Sequence, residues 1–173
     1  MKPYNSSDKS KKEEVQRMFD NIAPNYDKLN HIMSFNLDRM WRRRVMRIVR
    51  RSKAKKIMDV ATGTGDLAIT LAKRIERTQI LGIDLSEEML RIAQQKIQKQ
   101  GLEERIMLEK GDAENLHMVT NESIDAVTVA FGVRNFENLG FAHVRISDIG
   151  EMRNGGSCAD FGIFDLDVIA DFA

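Results

Sequence analysis

From Ile57 to Gly132, short apolar runs alternate with amphipathic segments. Ile57-Met58-Asp59-Val60 reads as a buried strand, and Ala61-Thr62-Gly63-Thr64-Gly65-Asp66 as a glycine turn after it. Leu67–Ile75 reads as a helix and Gln79–Asp84 as a second strand. Ser86–Gly101 carries the marks of a whole helix: Ser86 as N-cap, acids in the first turn, lysines later and Gly101 as the stop. Arg105–Ala113 predicts a third strand and turn, and Ile124–Gly132 a fourth strand. Apolar strands alternating with helices predict an α/β fold, a parallel sheet with helices on both faces.

The first fifty residues follow a different period. Residues 1–11 read as a frayed polar terminus. From Lys12 to Phe19 the pattern is helical, with Val15, Met18 and Phe19 on one side, and Pro24 interrupts it. Leu37, Met40, Trp41, Val45, Ile48 and Val49 then recur at helical spacing against Arg39, Arg42, Arg43, Arg47 and Arg50. Two or three helices with short breaks are expected here. No internal repeat is present.

Composition narrows the class. With 173 residues the chain has the size of one domain, and 42% hydrophobic with 31% charged residues excludes collagen-like, low-complexity and wholly disordered chains. Lys plus Arg number 27 against 26 Asp plus Glu, so net charge gives no hint of a nucleic-acid partner. The single cysteine, Cys158, excludes an internal disulfide and fits a reducing compartment. No apolar run approaches the ~20 residues that span a bilayer. The polar, acid-containing start is not that of a secretory signal. The neutral total hides a skew: Arg39–Lys56 holds ten basic residues and no acid, and no lysine follows Lys110.

The glycine turn is the candidate binding site. Gly63 and Gly65 let the backbone turn sharply and approach a ligand closely. Asp84 ends the second strand nineteen residues after Gly65, where an acid reaches ribose hydroxyls in a doubly wound sheet. A dinucleotide would set its pyrophosphate at the helix N-terminus. Asp66 occupies that turn, Asp59 lies just before it, and Ala68 stands at the third glycine position of G-x-G-x-x-G. Two carboxylates would repel a pyrophosphate. They suit a ligand with no phosphate and a cationic end, as S-adenosyl-L-methionine has. The alternative for Asp66 is a helix cap. Asp112-Ala113 follows the third strand on the same sheet edge, so Asp112 either accepts from an adenine amino group or is an ordinary turn residue.

These segments resemble the ubiquinone/menaquinone biosynthesis C-methyltransferases, class I enzymes with a Rossmann-like parallel sheet and an N-terminal helical cap. FDNIAPNYDKLNHIMSFNLDRMWRR, DVATGTGDLA, GIDLSEEML, GDAENL and DAVTVAFGVRNFENL carry the likeness, from about Phe19 to Leu139. The resemblance implies S-adenosyl-L-methionine as cofactor, with contacts at Thr64, Asp84, Asp112 and Ala113, beside Asp59, Gly63 and Gly65 of the turn. It implies methylation of a ring carbon of a polyprenylated quinol, demethylmenaquinol to menaquinol or its ubiquinone-pathway counterpart. Some relatives add a serine before the FG pair; Ala130 stands there in this chain. The cap would help form the quinol pocket through Tyr26, Asn30 and His31.

Such a reaction needs two oriented substrates, exclusion of water and a stabilised phenolate. Arg134 and Asn135, just past the fourth strand, are candidates to stabilise the phenolate and to hold an oxygen or water; the alternative is a structural turn. His31 is the candidate base by its ordinary pKa, or else a structural histidine. No metal is expected. A polyprenyl substrate lives in a membrane, so the basic Arg39–Lys56 stretch could rest on anionic headgroups or pack its apolar stripe on the sheet; the two are compatible, because arginine stems can cover the core while their heads reach lipid. One basic helix in a neutral protein does not argue for nucleic acid. The implied location is cytoplasmic, peripheral at the inner face of the membrane.

The chain therefore divides into N-terminal helices (1–52), a cofactor-binding core (53–139) and a divergent tail (140–173). In the tail the resemblance decays, leaving the sheet incomplete. Asp160-Phe161-Gly162-Ile163-Phe164 can be encoded so that a one-base shift reads Ile-Leu-Glu-Phe, close to the family's L-E-F strand end. The tail reads as out of frame or as divergence, and sequencing the parent DNA decides. Two further functions stay in view: a truncated, inactive cofactor-binding remnant, and an NAD-dependent oxidoreductase, which Asp66 disfavours.

Overall fold

The computed structural model describes residues 11–33, 37–112 and 124–129. Three helices come first: α1 (Lys11–Ile22), α2 (Tyr26–Met33) and α3 (Leu37–Ser52). Between α1 and α2, Ala23–Asn25 forms a single 3-10 turn with Pro24 inside it. Pro24 lacks the N–H that would continue α1, and its fixed φ suits the tight turn. The expectation of two or three interrupted helices holds, with α1 ending just before Pro24.

Strands and helices then alternate: β1 (Lys56–Val60), α4 (Asp66–Arg74), β2 (Gln79–Asp84), α5 (Glu87–Gln98), β3 (Ile106–Lys110) and β4 (Ala126–Val129). All pairings are parallel, in the order β3-β2-β1-β4. The chain crosses from β3 back past β2 and β1 to β4, so strand order reverses between β1 and β4, at the carboxyl end of β1. Open α/β sheets bind their ligands at that point.

The central strands are covered on both faces. Ile57, Met58 and Val60 of β1 are buried, as are Ala126, Val127 and Val129 of β4. Each buried Ile, Met or Val among them stabilises the fold by about 1.5–3 kcal/mol. β3 is half-covered, and Met107 is 64% exposed there. Helix α4 buries Leu67, Ala68, Ile69, Leu71 and Ala72. Helix α5 starts as its sequence predicts: the Ser86 hydroxyl accepts from the Met89 N–H at 3.1 Å, and Gly101 takes φ +62° just beyond its end.

Helix α3 settles one of the alternatives. Val45 and Val49 are buried in the same core cluster as Ile57 and Leu71, and Met46 and Ile48 pack against it. This part of its apolar stripe therefore faces the core, whereas Met40 nearer the N-terminus is 53% exposed. Arg43, Arg44, Arg47, Arg50 and Arg51 are exposed. Among the described residues no helix is long and apolar enough to cross a membrane. The tail from 140 onward lies outside the described residues.

Candidate active site

The turn after β1 is built from unusual backbone. Ala61, Gly63 and Gly65 have φ of +54°, +57° and +77°. Ala61 is the non-glycine among them, and such a left-handed residue costs about 1–2 kcal/mol. Hydrogen bonds hold the path: Thr62 N–H donates to the Ile83 carbonyl at 3.0 Å, and Gly65 N–H to the Thr62 carbonyl at 3.0 Å. Gly65 is the N-cap residue of α4 and Asp66 its first residue, so Asp66 is not the cap.

Asp59 lies beneath this turn, 1% exposed. Its two oxygens accept the hydroxyls of Thr128 (2.6 Å) and Thr62 (2.7 Å). Burial pushes its pKa up to about 6, against the lowering effect of both hydroxyls and with a smaller push from Asp84. Asp59 thus fastens the turn to β4 from below.

Asp84 closes the other side. Its Oδ2 accepts the Gly63 N–H at 2.8 Å and its Oδ1 the Ser86 N–H at 2.9 Å. Burial raises its pKa from the ordinary aspartate value, opposed by these backbone donors. The acid that ends β2 and the glycine turn are joined by a direct hydrogen bond, a tie that the sequence reading did not foresee. Gly111 N–H donates to the Asp84 carbonyl at 3.0 Å, which carries the third loop to the same edge. Gly111 has no room for a side chain, because a Cβ there would lie 2.6 Å from Ile83 Cγ2.

The cap reaches this site through charges that the sequence reading missed. Thr64 Oγ1 donates to Asp27 Oδ1 at 2.6 Å. Lys96, on α5, donates to Asp27 Oδ2 at 3.0 Å, to Thr64 Oγ1 at 3.2 Å and to Asp66. Arg42, on α3, pairs with Asp66 at 3.4 Å. On the α1 side, Lys12 pairs with Asp112, and the Ser86 hydroxyl donates to Asp20.

These contacts correct the electrostatic argument against a pyrophosphate. Asp66 does not stand bare in the turn, because Lys96 and Arg42 compensate it. Asp59 is enclosed by hydroxyls. The missing third glycine remains: Ala68 is fully buried against its neighbours.

An open cleft of about 50 Å³ lies between cap and turn. Tyr26, Asn30, Asp59, Gly63 and Thr64 line it together, beside Asp27, Arg42 and Asp66. Tyr26 also meets Phe19 edge-on, with ring centroids 6.0 Å apart. Gly65 is buried beneath the turn against Ala93. His31 belongs to α2, but its side chain is outside the described residues, as are Ala113, Arg134 and Asn135. Asp27 had a signal in sequence, within YDKLN. Lys96 and Arg42 had none beyond their charge.

The family model described as the ubiE/COQ5 methyltransferase family matches residues 7–150, past Leu139. A demethylmenaquinone methyltransferase of Bacteroides fragilis is 47% identical over 139 residues, 80% of this chain and 56% of the relative. A ubiquinone/menaquinone biosynthesis C-methyltransferase UbiE of Geotalea daltonii is 41% identical over 126 residues, 72% of this chain and 53% of the relative. The chain spans about half the length of such relatives. Among solved structures, the 4+2 cyclase SpnF matches with TM-score 0.66 at 21% identity, over 80% of this chain and 56% of that one. A SAM-dependent methyltransferase from Aquifex aeolicus matches with TM-score 0.50 at 23% identity, over 55% of this chain and 50% of that one. A cyclase beside a methyltransferase shows that this fold alone does not fix a reaction. The sequence match does fix the kinship: the chain belongs to the ubiE/COQ5 methyltransferase family.

Proposed function

We propose that the chain carries the cofactor site of an S-adenosyl-L-methionine-dependent C-methyltransferase that converts demethylmenaquinol to menaquinol, or acts at the equivalent ubiquinone-pathway step. The observation that carries this is Asp84, bonded to Gly63 of the turn while ending β2. A carboxylate there can receive ribose hydroxyls beside a turn that backbone N–H groups open. The lining carries both signs, as a zwitterionic ligand requires: Asp27, Asp59 and Asp66 share the cleft with Arg42, which pairs with Asp66.

When bound, the cofactor supplies a methyl group on a sulfonium as electrophile. The chain's part is to bind, orient and exclude water. Thr64, Gly63 and Gly65 shape the turn, Asp84 holds the ribose, and Asp112 with Ala113 holds the adenine. Asp59 supports the turn from beneath. Tyr26 and Asn30 line the quinol side. Arg134 stabilises the phenolate, Asn135 holds an oxygen or water, and His31 takes the phenolic proton. The division into cap (1–52), core (53–139) and tail (140–173) follows these roles.

A cytoplasmic protein peripheral to the membrane suits a polyprenylated substrate. The support is the row of exposed arginines on α3. With Val45 and Val49 in the core, such contact is electrostatic, without insertion of the apolar stripe. The second reading is a remnant that binds the cofactor without turnover. Methyl transfer from labelled S-adenosyl-L-methionine to demethylmenaquinol in vesicles separates the two. Labelled menaquinol supports the enzyme; saturable cofactor binding without label in the quinone supports the remnant.

A further inference from the structure

We infer that helices α1 and α2 form a lid, held shut by polar ties to the three loops of the site, and that the cofactor competes with those ties; the inference rests on the S-adenosyl-L-methionine reading above. Each tie joins one cap residue to one loop. Lys12 pairs with Asp112, after β3. Asp20 accepts the hydroxyl of Ser86, after β2. Asp27 accepts the hydroxyl of Thr64, after β1, and Lys96 of α5 donates to both of these. Three points along the cap thus meet the three loops at the carboxyl edge of the sheet.

Two of the loop partners, Thr64 and Asp112, are residues assigned above to the cofactor. A ligand amino group reaching Asp112 meets a carboxylate that already pairs with the Lys12 ammonium. Space decides in the same direction. The cleft of about 50 Å³ has room for a few waters, whereas ligand pockets span about 300–1,000 Å³. A nucleoside therefore enters only if the cap moves. Little apolar packing opposes that movement. No residue of α1 is buried, and Met18 and Leu29 are 39% and 42% exposed. Helix α3, by contrast, seats Val45 and Val49 in the core. A segment with few buried apolar contacts opens far more readily than the whole fold. The polar ties are thus what holds α1 and α2 down, and they draw on the site's own side chains.

The test titrates the 173-residue chain and its variants with S-adenosyl-L-methionine, which carries a net positive charge, and with S-adenosyl-L-homocysteine, which carries none. Lys12→Gln removes a positive charge and Asp20→Ala a negative one, and neither residue is assigned to the cofactor. Each variant is expected to bind both ligands about threefold more tightly, the size of one partly exposed polar tie. Lys12→Arg keeps its pair and is expected to bind as the native chain does. Opposite changes in Lys12→Gln and Asp20→Ala, as charge alone would give, overturn the inference. Unchanged or weaker binding in both also overturns it, because the cap then closes over the ligand and not against it. Failure of the native chain and of both variants to bind either ligand instead overturns the S-adenosyl-L-methionine reading itself, and this inference with it.

Discussion

Asp27 and Thr64, thirty-seven positions apart in the chain, are joined by a 2.6 Å hydrogen bond from the Thr64 hydroxyl to the Asp27 carboxylate. One partner stands on cap helix α2 and the other in the turn after β1. Because Lys96 donates to both, removing the Asp27 charge affects more than one bond. Asp27→Asn should loosen the cap. Asp27 is 36% exposed, so the cost to global stability is small, about 0.5–1 kcal/mol. The larger effect is local: limited proteolysis should cut within 11–33 faster in the variant, while the sheet stays protected. Equal cleavage of both proteins would show that the tie does not hold the cap.

Asp59 gives a pH signature. Its folded pKa, about 6, lies above the model-peptide 3.8, so the folded state binds its proton more tightly than the unfolded state. Its ionisation therefore costs stability above pH 6, and that cost is relieved as pH falls from 6 toward 4. Asp59→Asn cannot titrate. Native minus variant stability should rise on acidification through that window, by on the order of 1–3 kcal/mol in denaturant titrations. A flat difference, or one that falls, contradicts the burial argument.

Gly65 and Gly101 both have positive φ, but a Cβ on Gly65 would lie 3.1 Å from Ala93 Cβ, and on Gly101 it would meet nothing within 4 Å. Gly101→Ala should cost about 1 kcal/mol from backbone strain alone. Gly65→Ala should cost about 2 kcal/mol or more, because the contact with Ala93 is added. Urea unfolding of the two variants measures the difference. Equal losses would mean that α4 can shift away from α5 freely.

The exposed arginines of α3 lead to a salt-dependent prediction. The double variant Arg50→Gln with Arg51→Gln should weaken sedimentation with phosphatidylserine vesicles about tenfold or more, at about 1 kcal/mol per charge. Binding of the native chain should fall steeply with added salt. Salt-insensitive binding, or no binding to anionic vesicles, would remove the membrane face from the account.

The parallel sheet was legible because period and punctuation agreed. Asp84 ends β2, Ser86 caps α5 and Gly101 follows it, each local in sequence. The position of Asp84 at the end of β2 was legible from spacing, but its bond to Gly63 was not. What spacing could not show was compensation across elements. Asp66 looked like a bare charge because Lys96 lies thirty positions away and Arg42 on a separate helix. The hydrogen bond from Thr128 to Asp59 was equally hidden, since only the fold brings β4 beside β1. For α3, hydropathy showed a stripe but not its partner. Val45 and Val49, buried in one core cluster with residues of α4 and β1, gave the answer.

The central claim is that the turn after β1 and Asp84 form a site for S-adenosyl-L-methionine and not for a dinucleotide. Titrating the chain with each ligand, alone and as Asp84→Ala, tests it most directly. Saturable one-to-one binding of S-adenosyl-L-methionine is predicted, with none for NAD. Asp84→Ala should weaken that binding about tenfold or more, while far-ultraviolet circular dichroism is unchanged. Binding of NAD in preference, or binding indifferent to Asp84, would contradict the account.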